Sequence, residues 1–117
     1  MKAVLPALAL LLAAAAPADQ APVVRTDGGA LRGASADGIA SFKGIPYAAA
    51  PVGALRWHAP APVAGWTGTR DATGYGNDCV QSRMPGDVAN SNQPMSEDCL
   101  FLNVWTPRPR AGAKLPV

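Results

Sequence analysis

With 117 residues, 49% of them hydrophobic, and a formal net charge of +2, the chain has the length of one small domain. Its ten basic and eight acidic residues form no basic block and do not interleave with aromatics, which argues against a nucleic-acid partner.

The chain opens on a pattern typical of export. Lys2 gives a positive start, Ala3 to Ala16 is apolar apart from Pro6, and Ala16-Pro17-Ala18 places small residues at a cleavage position. The apolar run falls short of the roughly 20 residues that a membrane-spanning helix needs. Residues 1–18 therefore read as a signal peptide, with an alanine-rich helix of the mature protein as the alternative. Its removal leaves residues 19–117, with no other long apolar run and hence no membrane span. The destination is the periplasm or the extracellular medium.

Short β-like runs follow, broken by glycine and proline. Val23 to Thr26 and Ala30 to Gly33 flank Asp27-Gly28-Gly29, where glycine supplies the positive φ of a hairpin turn. Ile39 to Ile45 reads as a third strand after the Asp37-Gly38 turn signal, and three short antiparallel strands are the expected result. Pro46, Pro51, Pro60 and Pro62 then remove donors and fix φ, so an ordered coil is expected there, anchored by Tyr47, Leu55 and Trp57. Trp66 is placed to pin the next turn.

Cys79 and Cys99 are the only cysteines, and both lie in the exported portion. An even count outside the cytosol favours a disulfide. Zinc is a poor competitor, because two thiols so far apart with one distant histidine, His58, make no zinc site. The segment between the cysteines, with Pro85, Gly86, Asn90, Asn92 and Pro94, reads as an exposed polar loop. Leu100 to Trp105 is the strongest strand: Leu100, Leu102 and Val104 fall on one face and Phe101, Asn103 and Trp105 on the other. Large apolar groups on both faces suit a strand buried on two sides of a larger sheet. Pro107 and Pro109 end it, Arg108 to Lys114 reads as a polar turn, and Leu115-Pro116-Val117 as the entry to another strand. No long amphipathic helix is expected after residue 18.

Ser96-Glu97-Asp98-Cys99-Leu100-Phe101-Leu102-Asn103-Val104-Trp105, taken with Phe42-Lys43-Gly44-Ile45-Pro46-Tyr47, Pro51-Val52-Gly53-Ala54-Leu55-Arg56-Trp57 and Trp66-Thr67-Gly68, resembles the N-terminal region of type B carboxylesterases. These are the cholinesterase-like branch of the α/β-hydrolases. The resemblance runs from about Val23 to Val117 in the family's order. It implies an α/β fold class, with this segment mostly short antiparallel strands and proline-rich coil. It also implies that Cys79 and Cys99 are the family's N-terminal disulfide, and that Glu97 pairs with Arg56 as a structural ion pair. The bland alternative is two separate solvated charges.

The family cleaves carboxylic esters with a serine nucleophile, a histidine base and an acidic orienter, through an acyl-enzyme and without a metal or organic cofactor. Its nucleophile sits in a Gly-x-Ser-x-Gly elbow. Ser35 comes nearest here, with Gly33 two before it, but Asp37 stands where the second glycine belongs. Ser41, Ser82, Ser91 and Ser96 fit on neither side, and a triad of Ser41, His58 and Asp71 has nothing to recommend it. No catalytic, cofactor-binding or metal-binding residue is therefore assigned. The chain is expected to be inactive, ending before the oxyanion loop and nucleophile of a longer ester hydrolase acting on small carboxylic esters. In the choline-ester hydrolases of this family the disulfide loop carries a tryptophan that binds the quaternary ammonium, whereas residues 80–98 hold no aromatic, so the resemblance points to a general carboxylesterase. The alternatives are a non-catalytic cholinesterase-like binding or adhesion scaffold, and a free-standing secreted β-module.

Overall fold

Two Asp-Gly dipeptides set the first two hairpins of the computed structural model, which describes residues 21–82, 86, 92–107, 112 and 114–116. The export signal expected over residues 1–18 lies outside the described residues, as do most of the 83–91 loop tip, most of the 108–114 turn, and Val117. Strand β1 (Val23–Thr26) runs antiparallel to β2 (Gly29–Arg32), with Thr26 opposite Gly29 across the two-residue turn Asp27-Gly28. Gly29 belongs to the strand and not to the loop. Its φ of +145 and the indole of Trp66, 2.6 Å from where a Cβ would sit, leave no room for a side chain. Trp66 donates from Nε1 to the Ala30 carbonyl at 2.8 Å and from its backbone N–H to the Gly28 carbonyl at 2.8 Å. It thus pins the first hairpin from a distance.

Strand β3 (Ala34–Ala36) was not legible, because Ala-Ser-Ala carries no alternation and no β-branched residue. It pairs antiparallel with β4 (Ile39–Pro46) through Asp37 and Gly38, whose φ values of 51 and 78 suit the tight turns that match strand twist. The expectation of one three-stranded antiparallel group is corrected at this point. The chain leaves β2 at Gly33, whose N–H donates to the Pro22 carbonyl at 2.9 Å, and β4 joins a second sheet. The first sheet has the order β1-β2-β5, with β5 (Thr69–Asp71) parallel to β2; the second has the order β3-β4-β6, with β6 (Phe101–Pro107) antiparallel to β4. The short turn at Asp37-Gly38 makes residues 34–36 the nearest partner for β4, which is why the earlier hairpin loses it.

A bulge in β4 ties the sheets together. Between the pairs Phe42–Val104 and Ile45–Leu102 the register shifts, so Lys43 and Gly44 face Asn103 alone. The N–H of Gly44 donates to Asn103 Oδ1 at 3.0 Å, while that of Lys43 donates across to the Ala72 carbonyl at 2.7 Å. Ala72 in turn donates to the Arg32 carbonyl of β2 at 2.8 Å. Around this junction sits the core of Leu31, Ala40, Phe42 and Ala72, with Val24, Ile45 and Trp66 packed against it.

Among the described residues β6 has β4 as its only strand neighbour, so Leu102 and Val104 are 40% exposed and Trp105 53%. The larger sheet in which both its faces would be buried is not supplied by the described residues. One further expectation changes. In the coil, the expected anchors Tyr47, Leu55 and Trp57 are 53%, 37% and 95% exposed, and none reaches the buried core. Buried Ala48 holds the segment instead, helped by Tyr47 N–H to the Leu100 carbonyl and Ala49 N–H to the Ala61 carbonyl, at 3.1 and 2.9 Å. Prolines there allow a single 3-10 turn, Gly53–Leu55.

Candidate functional site

The residues singled out by sequence converge on the base of the 79–99 loop. Cys79 and Cys99 are joined at 2.04 Å with their Cα atoms 5.0 Å apart. Closing a loop of this length is worth about 3 kcal/mol in the chain-entropy account. The flanking backbone forms a short parallel bridge between Asp78 and Met95, with Asp78 N–H donating to the Pro94 carbonyl at 3.0 Å and Ser96 N–H to the Asp78 carbonyl at 2.9 Å. Asn77 Nδ2 donates to the Asp98 carbonyl, and Asp98 N–H to Ser96 Oγ, both at 3.1 Å.

The Ser96–Cys99 turn carries Glu97 toward the proline-rich coil. There Oε1 of Glu97 meets Nη2 of Arg56 at 2.8 Å, and the guanidinium also lies 5.8 Å from the centroid of the Trp57 ring. Arg56, Trp57, Glu97 and the disulfide line one open cleft of about 440 Å³, together with Pro51, Val80 and Ser96. The side chains of Arg56 and Glu97 are 52% and 42% exposed. Water therefore screens the pair, and neither charge would be stranded in an apolar interior if the other were removed. Glu97→Gln is expected to lower stability by less than about 1 kcal/mol, and the loss should vanish in high salt. Thermal melts of the variant at two NaCl concentrations check this.

The described residues do not bring the candidate triad of Ser41, His58 and Asp71 together at the cleft. His58 is exposed in the coil, Ser41 lies in β4 opposite Trp105, and the Asp71 carboxylate accepts the Thr73 hydroxyl at 3.1 Å. No hydrogen bond joins Ser41, His58 and Asp71, all three of which are described residues. Ser35 sits within β3 opposite Ala40 and not at a strand-to-helix turn. Among the described residues no group of three or more His, Cys, Asp or Glu could hold a metal ion. Sequence reasoning missed one surface cluster, in which Lys43 Nζ stands 4.7 Å over the Tyr75 ring and that ring lies 6.4 Å from Trp105. The bulge at Lys43 and the pairing of β4 with β6 create it, and neither was visible in the sequence.

A model of the carboxylesterase family matches residues 20–117. The chain is similar to the phenmedipham hydrolase of Pseudarthrobacter oxydans, 45% identical over 97 residues that make up 80% of this chain and 20% of that protein. It is also similar to the fumonisin B1 esterase of Sphingopyxis macrogoltabida, 42% identical over 104 residues, 88% of this chain and 19% of that protein. Among solved structures, a PNB esterase superposes with a TM-score of 0.64 at 40% identity, over 74% of this chain and 17% of that one. The chain thus spans about a fifth of the length of the curated relatives it matches.

Proposed function

The chain belongs to the carboxylesterase family, and from that premise we propose that it forms the N-terminal portion of an exported carboxylic-ester hydrolase. Its strands and coil are those of the opening part of an α/β-hydrolase. The observation that carries the proposal is the similarity to two hydrolytic enzymes, at 45% and 42% identity, within a family match that runs unbroken over residues 20–117. Small carboxylic esters are the substrate class, cleaved through a serine acyl-enzyme with a histidine base and an acidic orienter.

In that enzyme residues 19–117 serve as scaffold. The disulfide and the Arg56–Glu97 pair hold the 79–99 loop against the proline-rich coil, and β6 offers its apolar edge to further sheet. The absence of an aromatic in residues 80–98 favours a general carboxylesterase, since no π face is there to receive a choline ammonium. A bridge between the two cysteines suits an oxidising compartment, in keeping with removal of residues 1–18 on export.

The test has two arms. Residues 1–117 alone should hydrolyse p-nitrophenyl butyrate no faster than their His58→Ala variant. The product of the reading frame continued past codon 117 should hydrolyse it, and should stop when the serine of its Gly-x-Ser-x-Gly elbow is replaced by alanine. A continued product that binds but never cleaves esters would make the protein a scaffold. A His58-dependent rate in residues 1–117 would place catalysis in this chain.

A further inference from the structure

We propose that the Asp37-Gly38 turn is a modification site at which the chain spontaneously forms isoaspartate, and that the fold protects the Asp27-Gly28 turn from the same reaction. Glycine hinders this chemistry least, because it has no Cβ to keep its nitrogen away from the preceding side chain. The backbone nitrogen of Gly38 attacks Cγ of the protonated Asp37 carboxyl. An N–Cγ bond forms, a Cγ–O bond breaks, and the oxygen leaves as water with the amide proton. One water then reopens the resulting succinimide ring. Opening at Cγ restores aspartate. Opening at the main-chain carbonyl of Asp37 leaves the backbone running through Cβ and Cγ, with no net change in mass.

The two dipeptides are chemically alike, and the tertiary structure separates them. In the first turn Gly28 is clamped: a Trp66 ring carbon lies 2.6 Å from where its Cβ would sit, and the Trp66 backbone N–H donates to its carbonyl at 2.8 Å. The Thr26 hydroxyl donates to the Gly29 carbonyl at 3.0 Å, and Trp66 Nε1 to the Ala30 carbonyl at 2.8 Å. Ring closure at Asp27 needs the Gly28 nitrogen to swing toward the side chain, and these contacts oppose that motion.

The second turn has no such clamp. Ala36, Asp37, Gly38 and Ile39 are all exposed, and no atom lies within 4 Å of the Cβ position of Gly38. Strand β3 has three residues, and β4 is its only strand neighbour among the described residues. Asp37 holds a φ of 51, where a residue with a Cβ is disfavoured. An exposed hairpin tip of this kind opens at lower cost than one held by packing. The β-linked product inserts an extra methylene into the main chain of the turn, and the Ala36–Ile39 pair is the first it displaces.

The experiment uses the whole protein at its natural length and reads no ester hydrolysis, so its failure and that of the proposed function are separable. The folded protein is aged for several weeks in mildly acidic buffer, alongside a sample held unfolded in urea. Both are then digested with trypsin. Asp27 falls in the peptide Thr26–Arg32 and Asp37 in Gly33–Lys43, so chromatography and mass spectrometry count isoaspartate at each separately. In urea the two sites should isomerise at similar rates. In the folded protein Asp37 should isomerise about fivefold faster than Asp27 or more. The Asp27→Asn and Asp37→Asn variants close the same ring with loss of ammonia, and in the folded state the second should deamidate faster by a similar factor. Equal rates in the folded protein, or a faster rate at Asp27, overturn the proposal. So does a ratio that is the same in urea, which would mean that the fold protects neither turn.

Discussion

Leu31→Ala is expected to remove about 2–5 kcal/mol of stability, a large share of the 5–15 kcal/mol typical of a folded domain. Leu31 is the only large side chain that is fully buried among the described residues, at 0% exposure. It lies in β2, the central strand of the first sheet, between Val24 of β1 and Arg70 of β5. Across from it the second sheet contributes Ala40 and Phe42 to the same cluster. The substitution would therefore empty the contact between the two sheets, and small neighbours such as Ala40 and Ala72 cannot expand into the space. A urea melt followed by circular dichroism measures the loss. A shift below about 1 kcal/mol would show that the sheets do not depend on this contact.

Gly33→Ala is the second large effect, and it acts by overfilling. A Cβ at position 33 would lie 2.3 Å from the Ser41 carbonyl oxygen and 2.7 and 2.8 Å from the Phe42 ring. The carbonyl cannot retreat without disturbing the Ala34–Ser41 pair of β3 and β4, and the ring cannot retreat without leaving the core. The expected cost is about 3 kcal/mol, at the upper end of overpacking penalties. Gly74→Ala supplies the contrast: no atom lies within 4 Å of its Cβ position and its φ is not positive. That variant should stay within about 0.5 kcal/mol of the parent. Equal melting curves for the two variants would mean that the sheet crossing at Gly33 is not as tight as its geometry states.

Both effects arise where the two sheets meet, and that meeting place was the least legible part of the chain. The Asp-Gly turns at 27–28 and 37–38 could be read because a positive φ is a property of two residues and their neighbours. Strand β4 and strand β6 could be read from runs of apolar residues. The fate of Ile39–Pro46 could not, since nothing in those eight residues says whether they pair with β2 or with β3 and β6. Trp66 could be marked as an anchor, but not that its indole fills the space left by Gly29. Tyr47, Leu55 and Trp57 were expected to be anchors on hydrophobicity alone, and none reaches the buried core because the proline-rich coil lies over no core of its own.

By itself the sequence determined the turns, the positions of four of the six strands among the described residues, the proline-bound coil and the family resemblance carried by the blocks at 42–57 and 96–105. Only the tertiary structure decided that the strands divide into two sheets, that β5 runs parallel to β2, that a bulge at Lys43-Gly44 links the sheets through Ala72, and that β6 stands at an open edge. Turn chemistry and side-chain alternation act over two to eight residues and are written in the local composition. Strand partnership across the chain is settled by which arrangement buries Leu31 and Phe42 together while satisfying the backbone of Lys43 and Ala72, and no local stretch contains that comparison.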